Sequence, residues 1–537
     1  MGAGATTIAD SNAGTLAVNA LAQGSGNLLT LTGSTPVTVT NLTGDLNAAG
    51  DTGALAVTAT GATTQNVAVG SGNTTSITDN IATGGVVIDA TALGTGALTL
   101  AGTGMRTVNN FASNTVLTLT GSGVTTVNAT GSSAQSVTAG TGNLSVTDTG
   151  SGNMSINANA MGAGKTLTLA GSANETVTNL GANIDAIGLT GSLNVTTKTN
   201  ALTVRTGTGG TTINAGAMTG TLTLQGASPA TVTALGGNMN ASGDTGTLTV
   251  TVTGAGNQSV TTGSGNISIA DSSAGTLAVN AVALGSGSTL TLTGASPATV
   301  TNLKGTLNAA GYSGALTVTA TGTTAQTVVT GSGAISIADS TTGGSVVVDA
   351  TALGATNTLT LSGSAAKTVN NLTGNLVASS AGAINVTATG TAPHTIRTGN
   401  GADIIVAAQG GDRIEGGNGG DSINILGHTV ADTILYAATS ASLNTIAGRD
   451  TITGFAASGS FSDLLDFSAL NPNLNIAGPL SSGSPVAANS IAWAFVQGNA
   501  MVYVNNTASA LATSNTSLME ITLAGVSSGL SASNFRA

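Results

Sequence analysis

One long stretch of this sequence occurs twice, almost unchanged. Residues 8–61 read IADSNAGTLAVNALAQGSGNLLTLTGSTPVTVTNLTGDLNAAGDTGALAVTATG, and residues 269–322 read IADSSAGTLAVNAVALGSGSTLTLTGASPATVTNLKGTLNAAGYSGALTVTATG. Two segments this similar, 261 residues apart, indicate duplication. A duplicated chain must use the same local structure several times, so this repeat constrains the fold more than any other feature.

A short landmark locates the copies between these two segments. It is a strand-like run that ends in Asn or Asp followed by Ala, and it recurs at Asn19, Asp89, Asn157, Asn214, Asn280 and Asp349. The spacings between these residues are 70, 68, 57, 66 and 69. Six copies of a unit of about 68 residues therefore fill positions 1–397, and one of the copies is shortened.

Within each unit, short runs of alternating aliphatic and polar residues are separated by Gly, Asn and Ser, which is the pattern of strands and turns. Aromatic residues make up only 2% of the chain, so a 68-residue unit would form a poor core as an independent β-sandwich. Disorder is the other alternative for a glycine-rich chain, but the regularly spaced Val, Ile and Leu and the mean hydropathy of +0.33 argue against it.

A β-solenoid suits this composition better, because each coil buries its narrow interior against its neighbours. The sequence therefore predicts an all-β, right-handed parallel β-solenoid, with about three coils in each unit. Recurrent Asn residues at the turns are expected to stack, each side-chain amide bonding the next. The chain opens inside a repeat, because residues 2–10 align with 263–271. We expect either a fragment or an open end that meets a partner.

The few charged residues are unusually ordered at 398–424, TGNGADIIV AAQGGDRIE GGNGGDSIN. Residues 394–403 lie 68 positions after 326–335, so this segment continues the solenoid, with Asp403 in place of Ile335. Ca²⁺ takes six to eight oxygen ligands, and stacked glycine turns that end in aspartate offer both carbonyls and carboxylates. The predicted calcium-binding residues are Gly399, Gly401, Asp403, Gly410, Asp412, Gly417, Gly419, Asp421 and, from a degenerate fourth copy, Asp432. The alternative is that Asp and Gly form ordinary turns.

These nonapeptides resemble the calcium-binding repeats of the RTX (repeats-in-toxin) family, G-G-x-G-x-D-x-U-x. Residues 416–424 match every fixed position, residues 398–406 depart at the first glycine, and residues 407–415 lack the first two. The resemblance implies a β-roll that folds on binding about two to three calcium ions.

The C-terminal tail differs from the rest in composition. Five of the six Phe, two of the three Tyr and the only Trp lie within 431–537. Two parts of it, GRDTITGFAASGSFSDLLDFSAL (448–470) and the pair 491–508 and 519–535, resemble the ends of RTX proteins exported by type I secretion. The resemblance implies an uncleaved C-terminal export signal in a small β cap. Asp450, Asp463 and Asp466 are either further calcium ligands or plain turn carboxylates.

The sequence thus divides into a six-copy solenoid at 1–397, an RTX β-roll at 398–435 and a cap at 436–537. The net charge of −11 argues against binding to nucleic acid or anionic lipid. The chain has no cysteine and no run of about 18 apolar residues that would span a membrane. No short window collects the ionisable groups that an active site needs, so we expect no enzyme activity. Asp10, Asp79, Asp148, Asp271 and Asp339 recur at repeat spacing, which favours a structural role in turns or strand caps over extra calcium ligands.

Together these features most resemble the RTX-type surface-layer proteins of Gram-negative bacteria. That resemblance implies a secreted cell-surface protein that assembles with itself into a lattice or filament in the presence of Ca²⁺, with surface polysaccharide as a second partner. A calcium-dependent adhesin or biofilm-matrix protein is the alternative, and ice binding by Thr rows is a third.

Overall fold

The structure is a computed structural model that describes residues 2–71, 74–112, 114–340, 344–380 and 382–537. The chain forms two compact units, Met1–Ile267 and Ser268–Ala537, which are described separately. Across the described residues the regular structure consists of β-strands and two short 3₁₀ segments, with no α-helix. The chain is therefore all-β, as predicted.

The first unit contains strands of four to seven residues. They are β1 (Thr6–Asp10), β2 (Leu16–Asn19), β3 (Leu28–Gly33), β4 (Val37–Leu42), β5 (Asp45–Asp51), β6 (Leu55–Ala59), β7 (Gln65–Ala68), β8 (Thr75–Asp79), β9 (Val86–Asp89), β10 (Ala97–Gly102), β11 (Arg106–Phe111), β12 (Val116–Leu119), β13 (Thr125–Ala129), β14 (Gln135–Thr138), β15 (Leu144–Asp148), β16 (Met154–Asn157), β17 (Thr166–Gly171), β18 (Glu175–Leu180), β19 (Asn183–Leu189), β20 (Leu193–Thr197), β21 (Leu202–Arg205), β22 (Thr211–Asn214), β23 (Thr221–Gly226), β24 (Ala230–Leu235), β25 (Asn238–Asp244), β26 (Leu248–Val252) and β27 (Gln258–Thr261).

The second unit contains similar strands, of which the four between positions 404 and 435 are only three residues long. They are β28 (Ile267–Asp271), β29 (Leu277–Asn280), β30 (Thr289–Gly294), β31 (Ala298–Leu303), β32 (Thr306–Tyr312), β33 (Leu316–Ala320), β34 (Gln326–Val329), β35 (Ile335–Asp339), β36 (Val346–Asp349), β37 (Thr358–Ser362), β38 (Lys367–Leu372), β39 (Asn375–Ser380), β40 (Ile384–Ala388), β41 (Thr395–Gly399), β42 (Ile404–Val406), β43 (Arg413–Glu415), β44 (Ser422–Asn424), β45 (Thr433–Leu435), η1 (Thr439–Ala441), β46 (Asp450–Thr453), β47 (Leu464–Asp466), β48 (Asn475–Pro479), β49 (Ser490–Val496), β50 (Asn499–Asn505), β51 (Met519–Ala524), η2 (Ala532–Asn534) and β52 (Phe535–Arg536).

Each coil of both units contains two strands and about 19 residues. A strand pairs in parallel with the strand two places further along the chain, for example β13 with β15 and β15 with β17. Within each unit, and as far as β47, odd-numbered and even-numbered strands therefore form two separate parallel sheets, one on each side of a thin interior. This arrangement confirms the predicted parallel β-solenoid.

Side chains alternate between the interior and the surface along every regular strand. In β33 the side chains of Leu316, Val318 and Ala320 are buried, whereas the two Thr residues between them face outward. Leucine, valine and alanine are small enough for both sheets to fill the interior without aromatic residues, and the β-branched Thr and Val favour strand backbone. The low aromatic content is thus a consequence of a core that is only two side chains deep.

The repeat contains an odd number of strands, which the sequence did not reveal. The landmark strands in the first unit are β2, β9, β16 and β22, so three successive intervals hold seven, seven and six strands. A seven-strand repeat makes three and a half coils, where about three were expected, because the coils are shorter than assumed. Landmark strand β2 consequently lies in the even sheet and β9 in the odd sheet, and the shortened copy leaves β16 and β22 in the same sheet.

The landmark residue ends its strand by accepting a hydrogen bond from the backbone N–H two positions later. This bond is 3.1 Å long from Leu21 to Asn19 Oδ1 and 3.1 Å long from Gly216 to Asn214 Oδ1. An Asn in the next coil often donates to the same oxygen, as Asn302 does to Asn280 over 3.0 Å. At these positions the observed bonds between side-chain amides join two neighbouring coils.

The C-terminal end of the second unit is closed by a different kind of structure. β46 pairs in parallel with β51, and β47 pairs in parallel with β52. Strands β49, β50 and β51 form an antiparallel sheet. Val486, Ala492, Met501, Tyr503 and Leu518 form the buried cluster of this cap. The cap covers the sheet edge that the last coil would otherwise expose.

Candidate calcium-binding columns

The glycine turns of the nonapeptides stack directly on one another. Gly399 and Gly401 lie against Gly417 and Gly419, one coil later, and all four have positive φ angles between 95° and 142°. A Cβ on Gly417 would lie 1.7 Å from the carbonyl oxygen of Gly399, and one on Gly419 would lie 1.8 Å from that of Gly401. Only glycine fits both the backbone conformation and this close approach.

The third predicted turn lies at the other end of the strands. Gly410 belongs to the turn between β42 and β43, whereas the turns at 399–401 and 417–419 precede β42 and β44. Its Cβ would lie 2.4 Å from the carbonyl oxygen of Ala392, in the preceding coil. The nonapeptide period of nine residues is half a coil, so successive copies alternate between two edges.

Three aspartates form a first column, which stands at the start of β42, β44 and β46. Asp403 Oδ1 accepts the backbone N–H of Ile384 at 2.8 Å, Asp421 Oδ1 accepts that of Asp403 at 2.9 Å, and Asp450 Oδ1 accepts that of Asp421 at 2.8 Å. Each carboxylate thus bonds the coil before it. The column ends where Ser442 Oγ accepts the N–H of Asp450.

Three further aspartates form a second column, at the start of β43, β45 and β47. Asp412 Oδ1 accepts the N–H of His394 at 2.8 Å, Asp432 Oδ1 accepts that of Asp412 at 2.6 Å, and Asp463 Oδ1 accepts that of Asp432 at 2.7 Å. The second column therefore repeats the geometry of the first. Every predicted aspartate, including that of the degenerate copy, lies in one of the two columns.

All six carboxylates are buried, with 0–2% of each residue exposed. Oδ2 of Asp403, Asp421 and Asp432 has no hydrogen-bond partner. Buried carboxylates without partners are costly in the charged form, and like charges stacked one coil apart add to the cost.

The pKa values of these aspartates are raised because their charged forms are unfavourable when buried. Burial raises the pKa of Asp403, and burial together with the charge of Asp403 raises the pKa of Asp421 to about 7. Burial and the neighbouring Asp412 raise the pKa of Asp432 to about 7. The pKa of Asp450 is raised well above its ordinary value by burial and by the charge of Asp421.

His428 lies against the second column, where its imidazole ring faces two of the aspartates. Its Nδ1–H donates to the carbonyl oxygen of Ile425, and its Nε2 lies 3.3 Å from Asp463 Oδ1. Nδ1 also lies 3.9 Å from Asp432 Oδ2. Burial alone would lower the pKa of His428, but the bond to Ile425 and the charges of Asp463 and Asp432 raise it. The three side chains are close enough together to hold a metal ion.

The three aspartates of the tail, which the sequence left as either calcium ligands or turn carboxylates, have different positions in the structure. Asp450 and Asp463 extend the columns, whereas Asp466 ends β47 and lies 3.6 Å from Arg413 and 3.4 Å from Arg536. Hydrogen bonds from Ser468 and the two Arg charges outweigh burial and lower the pKa of Asp466. Asp450 follows Asp421 by 29 residues and Asp463 follows Asp432 by 31, so a search for nonapeptides could not join them to the columns.

The residues of the columns fit calcium on the evidence of their chemistry. The donors are carboxylate oxygens, three of them without partners, beside glycine turns whose carbonyl oxygens approach the next coil closely. Calcium prefers such oxygen donors, and its charge would offset the repulsion within a column. Asp403, Asp421 and Asp450 in the first column and Asp412, Asp432 and Asp463 in the second are the residues that would hold the ions.

Comparison with known proteins gives no further assignment, because no protein-family model and no curated protein matches this sequence. Among the described residues there is no helix of the length and apolar character that crossing a membrane would need.

Proposed function

We propose that this protein is a structural protein of the bacterial cell surface, exported from the cell, whose C-terminal folding and self-assembly depend on calcium. It would form a surface layer, sheet or filament from copies of itself, with surface polysaccharide as its attachment partner. We also propose that it is not an enzyme, since a repetitive β-solenoid fold is typical of structural proteins.

The observation that carries the calcium dependence is the pair of aspartate columns with their unpartnered buried oxygens. Without a cation, the folded second unit must either keep several carboxyl groups protonated or bury their charges. Cytosolic calcium is scarce and extracellular calcium is abundant, so the columns would let the unit fold fully only outside the cell. The resemblance of 398–424 and 448–535 to RTX proteins supports export through a type I route.

Assembly is tested on the purified full-length chain. The protein is dialysed from EGTA into millimolar Ca²⁺, with Mg²⁺ as the control ion, and is then viewed by negative-stain electron microscopy. We expect ordered sheets or filaments with Ca²⁺ only, because Mg²⁺ prefers a smaller octahedral site and keeps its waters.

A chain that folds with Ca²⁺ but stays monomeric would contradict the self-assembly. The result would then favour the calcium-dependent adhesin as the proposed function, and binding of the monomer to surface polysaccharide would be the next measurement.

A further inference from the structure

One buried position of the repeat holds an aliphatic residue in three copies, a cation in two and an acid in one. It is the first residue of strands β4, β11, β18, β24, β31 and β38. Its side chain points inward and lies near the end of a strand in the preceding coil. The residues at this position are Val37, Arg106, Glu175, Ala230, Ala298 and Lys367. Three of the six are ionisable, and each of these is at most 2% exposed.

In two copies the ionisable residue is a cation that has its own partners. Arg106 Nη1 donates to Ala101 O at 2.8 Å and Nη2 donates to Gly123 O at 3.1 Å. The positive charge of Arg106 also acts on the carboxyl group of Asp79, at the end of β8.

Lys367 makes the same kind of site in the second unit. Its Nζ donates to the carbonyl oxygens of Gly363 at 3.1 Å and Ala365 at 2.8 Å. Its Nζ also lies 4.0 Å from Asp339 Oδ2, at the end of β35, and both side chains are fully buried. An aspartate, a buried cation and turn carbonyls are therefore the common parts of these two copies.

The third copy keeps the aspartate and replaces the cation with an acid. Asp148 ends β15 and pairs in register with Gly171, just as Asp79 pairs with Gly102. Glu175 is 0% exposed, and neither Oε1 nor Oε2 has a hydrogen-bond partner. Asp148 is also 0% exposed, and its Oδ2 has no partner. The neighbours of Glu175 in its own sheet are Met154 and Leu193, which cannot neutralise it.

We propose that Glu175 and Asp148 bind a calcium ion, which takes the place filled by the Arg106 guanidinium and the Lys367 ammonium in the other copies. The Glu175 carboxylate and Asp148 Oδ2 supply charged ligands. The carbonyl oxygen of Ala173 corresponds to that of Ala365, which accepts from Lys367, and it adds a neutral oxygen donor of the kind that calcium prefers. This site lies in the first unit and does not depend on the aspartate columns.

Electrostatics supports the need for a cation here. Burial, and then the negative charge of Asp148, raise the pKa of Glu175 to about 8. A calcium ion would remove the repulsion between the two carboxylates.

The test counts the calcium ions bound to the full-length chain, by native mass spectrometry and equilibrium dialysis, in the parent, Glu175→Gln and Glu175→Lys. Both variants should lose one bound ion per chain. Glu175→Lys should also unfold at a higher temperature than the parent in EGTA, because its ammonium reproduces the arrangement of Lys367. Glu175→Gln provides the count if the lysine variant does not fold. Asp185→Lys makes the same change of charge on a surface residue and should keep every ion.

An unchanged calcium count in both variants would overturn the proposal and leave Glu175 as a buried neutral acid. The fluorescence of Trp493, in the cap of the second unit, separates this result from a failure of the proposed function. A calcium response at Trp493 with no loss of an ion in Glu175→Lys contradicts this site alone. No response at Trp493 with the loss of one ion contradicts the calcium-dependent folding of the second unit alone.

Discussion

A single inward position at the start of a strand accommodates very different residues in this fold. Along one sheet of the second unit this position is Gln326, Val346, Lys367 and Ile384 in successive coils, and the first aspartate column then continues it with Asp403, Asp421 and Asp450. The residues before the column are apolar or bring their own donors. The aspartates bring only acceptors, so they make the end of the solenoid dependent on an added cation.

The raised pKa values predict an unusual pH dependence for the calcium-free protein. The pKa values of Asp421 and Asp432 are about 7 in the folded chain and near 3.8 when unfolded. Between about pH 4 and pH 7 the folded chain holds protons that the unfolded chain has released, so raising the pH over this range favours unfolding. We expect the second unit to lose on the order of a few kcal/mol of stability in EGTA between pH 4.5 and pH 8.

Urea unfolding followed by Trp493 fluorescence measures this dependence. With saturating Ca²⁺ the direction should reverse, because calcium binds the ionised carboxylates and is lost as they are protonated. A calcium-free chain that becomes more stable from pH 4.5 to pH 8 would contradict the burial of unpartnered acids in the columns.

At the scale of the strand, a recurrent bulge depends on one asparagine. The strands with the pattern VTVTNL carry an Asn near their end with φ between 54° and 58°, at Asn41, Asn110, Asn179, Asn302 and Asn371. The pairing with the next coil shifts register at the same place, for instance between Val177 and Leu180. Asparagine tolerates this left-handed backbone, and its side chain donates to the landmark residue one coil earlier.

The copy that follows the shortened one has Ala234 at this position, with φ of 52°. Alanine in the left-handed region costs about 1–2 kcal/mol, and it cannot donate to Asn214. Ala234→Asn should therefore stabilise the first unit by about 1–2 kcal/mol, measured by chemical unfolding.

The matched variant is Asn179→Ala, which introduces the alanine that the neighbouring copy already has and should destabilise the unit by a similar amount. Equal stability of both variants and the parent would show that the bulge does not constrain the backbone at this position.

At the scale of the strand, the sequence predicts the strands and the solenoid but not the way each coil closes. The alternation in runs such as LTVTA predicts strands, and the repeat predicts a solenoid, because both are local patterns that survive in every copy. The closure of each coil is not local, since it depends on how two sheets pair over about 19 residues. The repeat length therefore could not show that seven strands, an odd number, return the landmark to the opposite sheet.

For the whole molecule, some of the charged site residues could be predicted from their spacing in the sequence, and others are brought together only by the fold. Asp403, Asp412 and Asp421 could be found because the nonapeptide spacing matches half a coil. Asp450, Asp463 and His428 join them only in three dimensions, since longer loops intervene. Glu175 gave no signal in the sequence, because a lone acid becomes informative only beside Asp148 and against the cations of the sister copies.

The cap gives the molecule a reporter of its calcium state. Trp493 is the only tryptophan, is 3% exposed and stacks on Phe535 with ring centroids 5.0 Å apart. Phe535 begins β52, which pairs with β47 next to Asp463, so the packing of the indole ring depends on the last coils that carry the columns.

The most direct test is a calcium titration of the full-length chain, monitored by Trp493 fluorescence. The parent should show a cooperative blue shift, and a variant with Asp403, Asp412 and Asp421 all changed to Asn should require at least about tenfold more calcium or not respond, because three ligands are lost. A control with Asp10, Asp45 and Asp185 changed to Asn carries the same charge and should titrate like the parent. An unchanged titration in the first triple variant would contradict calcium binding by the aspartate columns.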